Sequence, residues 1–84
     1  MADQARDTVS LVRQIVVSLV DEPELVEVTT KESGSSLLIE ISVAPDDISK
    51  IIGRNGRVIK AIRTLARAAA TIIGPDQVDV EIIS

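Results

Sequence analysis

Apolar and polar positions alternate along this chain in two rhythms that change at its glycines and prolines. From about Gln4 to Val20, Val12, Ile15, Val16 and Leu19 recur at helical spacing, and Asp21-Glu22-Pro23 ends the run. Leu25 to Glu32 has period two, with Val26, Val28 and Thr30 on one side and Glu27, Thr29 and Lys31 on the other. Ser33-Gly34-Ser35-Ser36 is a turn, and Leu37, Ile39, Ile41 and Val43 resume the alternation, so the two runs predict a hairpin. Pro45-Asp46-Asp47 opens a short helix, its ring preset for a first turn and its carboxylates near the positive dipole end. Ile48, Ile51 and Ile52 share that helix's expected buried face. Gly53 is a natural stop and Asn55 an N-cap candidate for a long helix from about Gly56 to Ile73. Its expected inner stripe is Val58, Ile62, Leu65, Ala69 and Ile72, with Lys60, Arg63 and Arg67 on a different, outward side. Gly74-Pro75-Asp76 breaks it, and Gln77 to Ile83 alternates through Val78, Val80 and Ile82.

The predicted order is α-β-β-α-α-β, an α+β fold in two layers. The first two strands should be antiparallel, and a two-helix crossover makes the third parallel to the second if they are neighbours. One apolar face per strand places the helices on one side of a three-stranded mixed sheet. The open face would carry Glu27, Glu40, Asp79 and Glu81, which repels polyanions and directs any such ligand to the helical side.

Charge sharpens that expectation. The chain has 13 acids against 9 cations, yet residues 48–75 hold Lys50, Arg54, Arg57, Lys60, Arg63 and Arg67 and no acid. A basic helix face is commonly no more than a solvated face. Here it surrounds Gly53-Arg54-Asn55-Gly56, where two glycines permit a tight turn and close approach of backbone to an anion, and a helix start adds N–H donors. A lone G-x-x-G is a weak signal, since it also serves as a plain helix–helix turn. This one follows a helix and lacks the Walker and dinucleotide patterns, so both nucleotide readings fail.

Other chemistries are bounded by what the 84 residues omit. With no His and no Cys, His/Cys metal sites, cysteine nucleophiles and His acid–base catalysis are excluded, and no nucleophile constellation is legible. Val9 to Val20 is short and interrupted by Arg13, Gln14 and Ser18, so it reads as neither a membrane span nor a signal peptide. The expectation is a non-enzymatic cytoplasmic protein with no metal, cofactor or membrane partner. One domain over residues 1–84 is expected, its core motif at about 37–83 and its loop at 53–56.

Ile51, Ile52, Gly53, Gly56 and Ile59 meet the pattern [VI]-I-G-x-x-G-x-x-I in full, and with the element order they make the chain resemble the KH domain of type II. Val43-Ala44-Pro45-Asp46-Asp47 and the stretch Arg57 to Arg67 further resemble small bacterial single-KH proteins of the KhpA (YlqC) family. The resemblance implies single-stranded RNA, or sometimes DNA, held across about four nucleotides, with the G-x-x-G gripping the backbone. It makes Gly53 and Gly56 the points of close approach and aims Arg54 and Asn55 at phosphates. Amides of Gly56, Arg57 and Val58 would add donors, and Arg57 and Lys60 would extend the track. Ile51 and Val58 are candidates for an apolar floor under the bases, although core packing is the commoner role for such residues. It also implies a homodimer or a larger KH-bearing partner, and a role as RNA chaperone or post-transcriptional regulator. Ala66, Ala68, Ala69 and Ala70 would permit close helix approach, though their commoner meaning is helix propensity. The alternatives are a protein-interaction scaffold and a ribosome- or transcription-associated subunit in which RNA binding is secondary.

Overall fold

A computed structural model describes the backbone of residues 2–73 and 77–83 and the side chains of residues 7–70 and 77–83. Three α-helices cover one face of a three-stranded sheet: α1 (Ala2–Leu19), β1 (Glu27–Ser33), β2 (Ser36–Ser42), α2 (Ile48–Ile52), α3 (Arg57–Ile73) and β3 (Gln77–Ile82). The order across the sheet is β1-β2-β3, antiparallel then parallel. Three-residue 3₁₀ turns at Pro23–Leu25, Pro45–Asp47 and Arg54–Gly56 set the entries to β1, α2 and α3. Each of the first two carries its proline at the start, where a missing N–H costs nothing. The expected helix break at Gly74-Pro75-Asp76 lies outside the described residues.

The central strand behaves as its alternation requires. Leu37, Ile39 and Ile41 of β2, with Val43 beyond it, are buried together with Val78 and Val80 of β3 and Val12 and Val16 of α1. Edge strand β1 contributes less: Val26 precedes it, Val28 is half-buried and Thr30 is exposed. On α1, Leu19 falls outside the core at 39% exposure.

The face of α3 differs from expectation. Ile59, Ile62, Ala66 and Ala70 are buried, Val58 is half-buried, and Leu65 (47% exposed) and Ala69 face outward. Ile72 lies outside the described side chains. The residues of this helix come in adjacent apolar pairs (Val58-Ile59, Leu65-Ala66, Ala69-Ala70), so two faces one residue apart fit a helical period equally well. Packing decides between them: α3 lies against α1, and the small Ala66 and Ala70 on its inner face allow close approach. These two alanines are therefore core residues and leave only Ala68 and Ala69 of the alanine run at the surface. Likewise Ile52 of α2 is 39% exposed, while Ile51 is fully buried and Ile48 half-buried.

Candidate nucleic-acid interface

The loop between α2 and α3 is built on backbone conformations that few residues can take. Gly53 has φ 73° and ψ 176°, a region confined in practice to glycine. A Cβ there would overlap Cγ2 of Val58 and lie 2.8 Å from its Cβ and 2.9 Å from its backbone N. Gly53 is thus fixed twice, by its torsions and by the first turn of α3 beneath it. Asn55 is left-handed at φ 57°, ψ 27°, a conformation its short polar side chain tolerates. This corrects the N-cap expectation, because a cap residue normally has extended backbone. Gly56 needs its freedom only for φ 74°, since the nearest side-chain atoms to a Cβ there are 4.0 Å away.

The turn closes on itself. Gly53 N–H donates to Ser49 O at 2.9 Å, Gly56 N–H to Gly53 O at 3.2 Å, and Arg57 N–H to Arg54 O. The amides of Gly56 and Arg57 are therefore engaged within the turn, and the helix-end donors expected of them are not free in this conformation. Arg54, Asn55, Arg57 and Lys60 are exposed around it, and among the described residues the three cations make no ion pair. Ile51 is wholly within the core, while Val58 lies half-buried beneath Gly53. The apolar side chain presented at the surface beside the loop is Ile52. Its position next to the buried Ile51 on so short a helix offered no periodicity from which to foresee this.

The other three cations of the acid-free stretch have partners. Lys50 Nζ lies 3.0 Å from both Asp21 Oδ2 and Asp47 Oδ1. Asp47, 1% exposed, also accepts the backbone N–H groups of Asp21 and Glu22 at 3.1 Å each. It does not cap its own helix; it ties the end of α1 to the start of α2, the helix that carries the loop. Burial pushes the Asp47 carboxyl up, but the Asp21 N–H, the Lys50 ammonium and the Glu22 N–H outweigh it and hold the group below its ordinary 3.8. The hydrogen bond to Asp21, then that to Asp47, raises Lys50 above 10.5.

Arg63 and Arg67 turn to the free edge of β3. Arg63 Nε donates to Val80 O and Arg67 Nε to Val78 O, both at 3.0 Å. Asp79 Oδ1 sits 3.4 Å from each guanidinium and accepts Val80 N–H at 2.9 Å. The hydrogen-bonding row of an edge strand, which could otherwise pair with another chain, is here occupied by side chains. Beside it is an open depression of about 410 Å³ lined by Lys60, Arg63, Thr64, Arg67 and Asp79. On the outer face of the sheet, Glu40 is paired with Lys31 at 3.7 Å, so that face is acidic but not uniformly so.

A helix–glycine loop–helix unit between a parallel pair of strands, preceded by a helix and an antiparallel strand, defines a KH domain of type II. The profile described as "KhpA/KhpB, KH domain" matches residues 9–82, and the chain belongs to that family. It is 50% identical over 60 residues to RNA-binding protein KhpA of Caldanaerobacter subterraneus subsp. tengcongensis, covering 71% of this chain and 80% of that protein. The corresponding protein of Halalkalibacterium halodurans is 50% identical over 62 residues (74% and 82%), and that of Listeria monocytogenes 44% over 61 (73% and 80%). Among solved structures, an Aquifex aeolicus Era variant bound to GDP and AlF4− is similar with a TM-score of 0.61 and 25% identity. The match covers 90% of this chain but 30% of that one, so it bears on the fold of one region of Era.

Proposed function

We propose that this chain binds single-stranded RNA through the Gly53–Gly56 loop and acts without catalysis, as an RNA chaperone or post-transcriptional regulator. The carrying observation is the loop itself: a backbone only glycine can adopt at Gly53, ringed by Arg54, Arg57 and Lys60, which have no acidic partner among the described residues. Relatives of up to 50% identity bear the name RNA-binding protein. In this reading Gly53 and Gly56 let a phosphate approach, Arg54 and Asn55 face it, and Arg57 and Lys60 continue the track along α3. Ile52 and the exposed edge of Val58 offer the apolar contact for bases.

Replacing Arg54→Asp together with Asn55→Asp tests it. Aspartate tolerates the left-handed conformation at position 55, so the fold should survive while two carboxylates replace the phosphate contacts. Anisotropy with a labelled single-stranded RNA should show binding lost and the melting temperature kept. Unchanged affinity in the folded variant refutes the role of the loop.

Partnering with a second copy or a larger KH-bearing protein belongs to the same proposal. Base stacking on aromatics is worth roughly 1–3 kcal/mol per base, and the chain has no aromatic residue to supply it. Two clefts on one strand recover affinity through effective concentration. Ala61, Leu65, Ala68 and Ala69 are exposed on α3 and form an apolar face on the side away from Arg63 and Arg67. Sedimentation across a concentration series, with and without RNA long enough for two clefts, should show association. A strict monomer in both conditions removes the partner.

A further inference from the structure

We propose that Asn55-Gly56 is a site of spontaneous covalent modification, at which loss of the Asn55 side-chain amide puts a carboxylate into the loop. The chain contains one asparagine, and glycine follows it. The reaction needs only water. The Gly56 amide nitrogen, once its proton has passed to hydroxide, attacks Cγ of Asn55. A new N–C bond closes a five-membered imide, the bond from Cγ to the side-chain nitrogen breaks, and ammonia leaves with a proton from water. Water then opens the imide. Cleavage at Cγ gives aspartate, and cleavage at the main-chain carbonyl carbon gives isoaspartate, in which the backbone runs through Cβ. Nothing is oxidised or reduced.

The loop prepares both partners for that step. Glycine leaves the attacking nitrogen without a neighbouring side chain. Asn55 is exposed, and its side chain makes no hydrogen bond among the described residues. Arg54 and Arg57, exposed and without an ion pair among the described residues, flank the pair, and α3 begins at Arg57. Cationic side chains and the positive end of a helix stabilise an amide anion, the species that attacks. What holds the reaction off is conformation. At ψ 27° the Gly56 nitrogen lies across the Cα–C bond from Cβ of Asn55, so the ring cannot close until that bond rotates. Rotation loosens two hydrogen bonds of the turn, from Gly56 N–H to Gly53 O at 3.2 Å and from Arg57 N–H to Arg54 O. The side chains of Arg54, Asn55 and Arg57 are all exposed, so a local opening at these residues uncovers no core.

The consequence for RNA rests on the reading above. Both products set a carboxylate between Arg54 and Arg57, where that reading places a phosphate, and isoaspartate also adds a carbon to a turn closed across three residues. Asn55→Asp, made directly, should keep the fold and weaken binding of single-stranded RNA on the order of fivefold, the effect of one exposed charge of ordinary strength. In the other direction, RNA seated on the loop holds the turn closed, so saturating RNA should slow the modification in proportion to occupancy.

The test ages the full chain in warm, mildly alkaline buffer beside a synthetic peptide of residues 50–60. Peptide mapping by mass spectrometry reads the conversion of amide to acid at Asn55, and isoaspartyl methyltransferase labelling reads the isomer. Opening that costs two exposed hydrogen bonds predicts conversion in the folded chain slower than in the peptide by roughly five- to a hundredfold. Urea below the unfolding transition should leave that rate nearly unchanged, because local opening exposes little surface. If Asn55 persists while the peptide is consumed, or if conversion rises with urea in step with the unfolded population, the proposal is overturned. If conversion is local but RNA does not slow it and Asn55→Asp binds RNA as before, the modification stands and the RNA reading of the loop fails.

Discussion

The two loop glycines should differ sharply in what they tolerate, and the difference follows from geometry. At Gly53 an alanine would have to hold a conformation worth about 1–3 kcal/mol of strain, and its Cβ would overlap Val58. Relieving that overlap moves the first turn of α3, an overpacking cost of a further ~1–3 kcal/mol. At Gly56 the space is open, so Gly56→Ala meets only the left-handed penalty of roughly 1–2 kcal/mol. In a domain of this size each kcal/mol moves the melting temperature by about 4–8 °C. Gly53→Ala should therefore lose at least ~8 °C, and Gly56→Ala about half as much. Adding Val58→Ala to Gly53→Ala removes the Cγ2 overlap but not those with Cβ and backbone N, so rescue should be partial. The double-mutant coupling should be favourable and about 1 kcal/mol or more. Urea unfolding at low temperature gives all four values where the melt of Gly53→Ala is too low to fit. Equal losses at the two glycines, or no relief from Val58→Ala, would refute the idea that Val58 is what forbids a side chain at position 53.

Three unpaired cations beside the loop predict that log affinity for RNA falls against log salt with a slope near −2, using about −0.7 per phosphate; a flat response contradicts a backbone grip. The inner face of α3 predicts that Ala66→Leu costs about 1–3 kcal/mol in urea unfolding while Ala69→Leu is close to neutral, and the reverse order would restore the other face. Asp47 has its folded pKa lowered, so its contribution is complete above 3.8 and is lost as pH falls through the depressed folded value. Asp47→Asn should accordingly lower the melting temperature at neutral pH and flatten its dependence on pH in the acid limb. Lys50 runs the other way, its contribution present below 10.5 and lost as pH rises through the raised folded value, so Lys50→Met should flatten the alkaline limb.

The sheet was legible because alternation along β2 and β3 allows only one buried face, and because glycine and proline mark each change of period. The loop was legible for a similar reason, since glycines between two apolar runs narrow the choice of backbone. What stayed hidden depended on choices that sequence leaves open. Adjacent apolar pairs on α3 fit either of two faces, and close packing with α1 selects the one with the smaller residues. Asn55 has the composition of a cap, yet the turn places it in the left-handed region before the helix begins. Asp47 looked like one of two interchangeable carboxylates after a proline; only folding brings the Asp21 and Glu22 amides to it. A signal did exist in Lys50, three residues further on and on the same side of the turn.

Charge shows the distance between counting and placing. Six cations in an acid-free stretch suggest one broad basic surface, but acids from outside the stretch pair with half of them in space. Asp21 and Asp47 take Lys50, and Asp79 takes Arg63 and Arg67. Among the described residues, Arg54, Arg57 and Lys60 remain without an ion pair, all on the loop or about one turn from it. The same fold that draws acids onto the periphery of the stripe thereby leaves uncompensated charge beside the glycine loop. An acidic sheet face behind it disfavours polyanions elsewhere, since like charges repel beyond contact range at low salt. Affinity from three cations without aromatic stacking is modest. In the proposed mode of binding, selectivity for the loop over the rest of the surface does not depend on it, because it comes from where the acids sit.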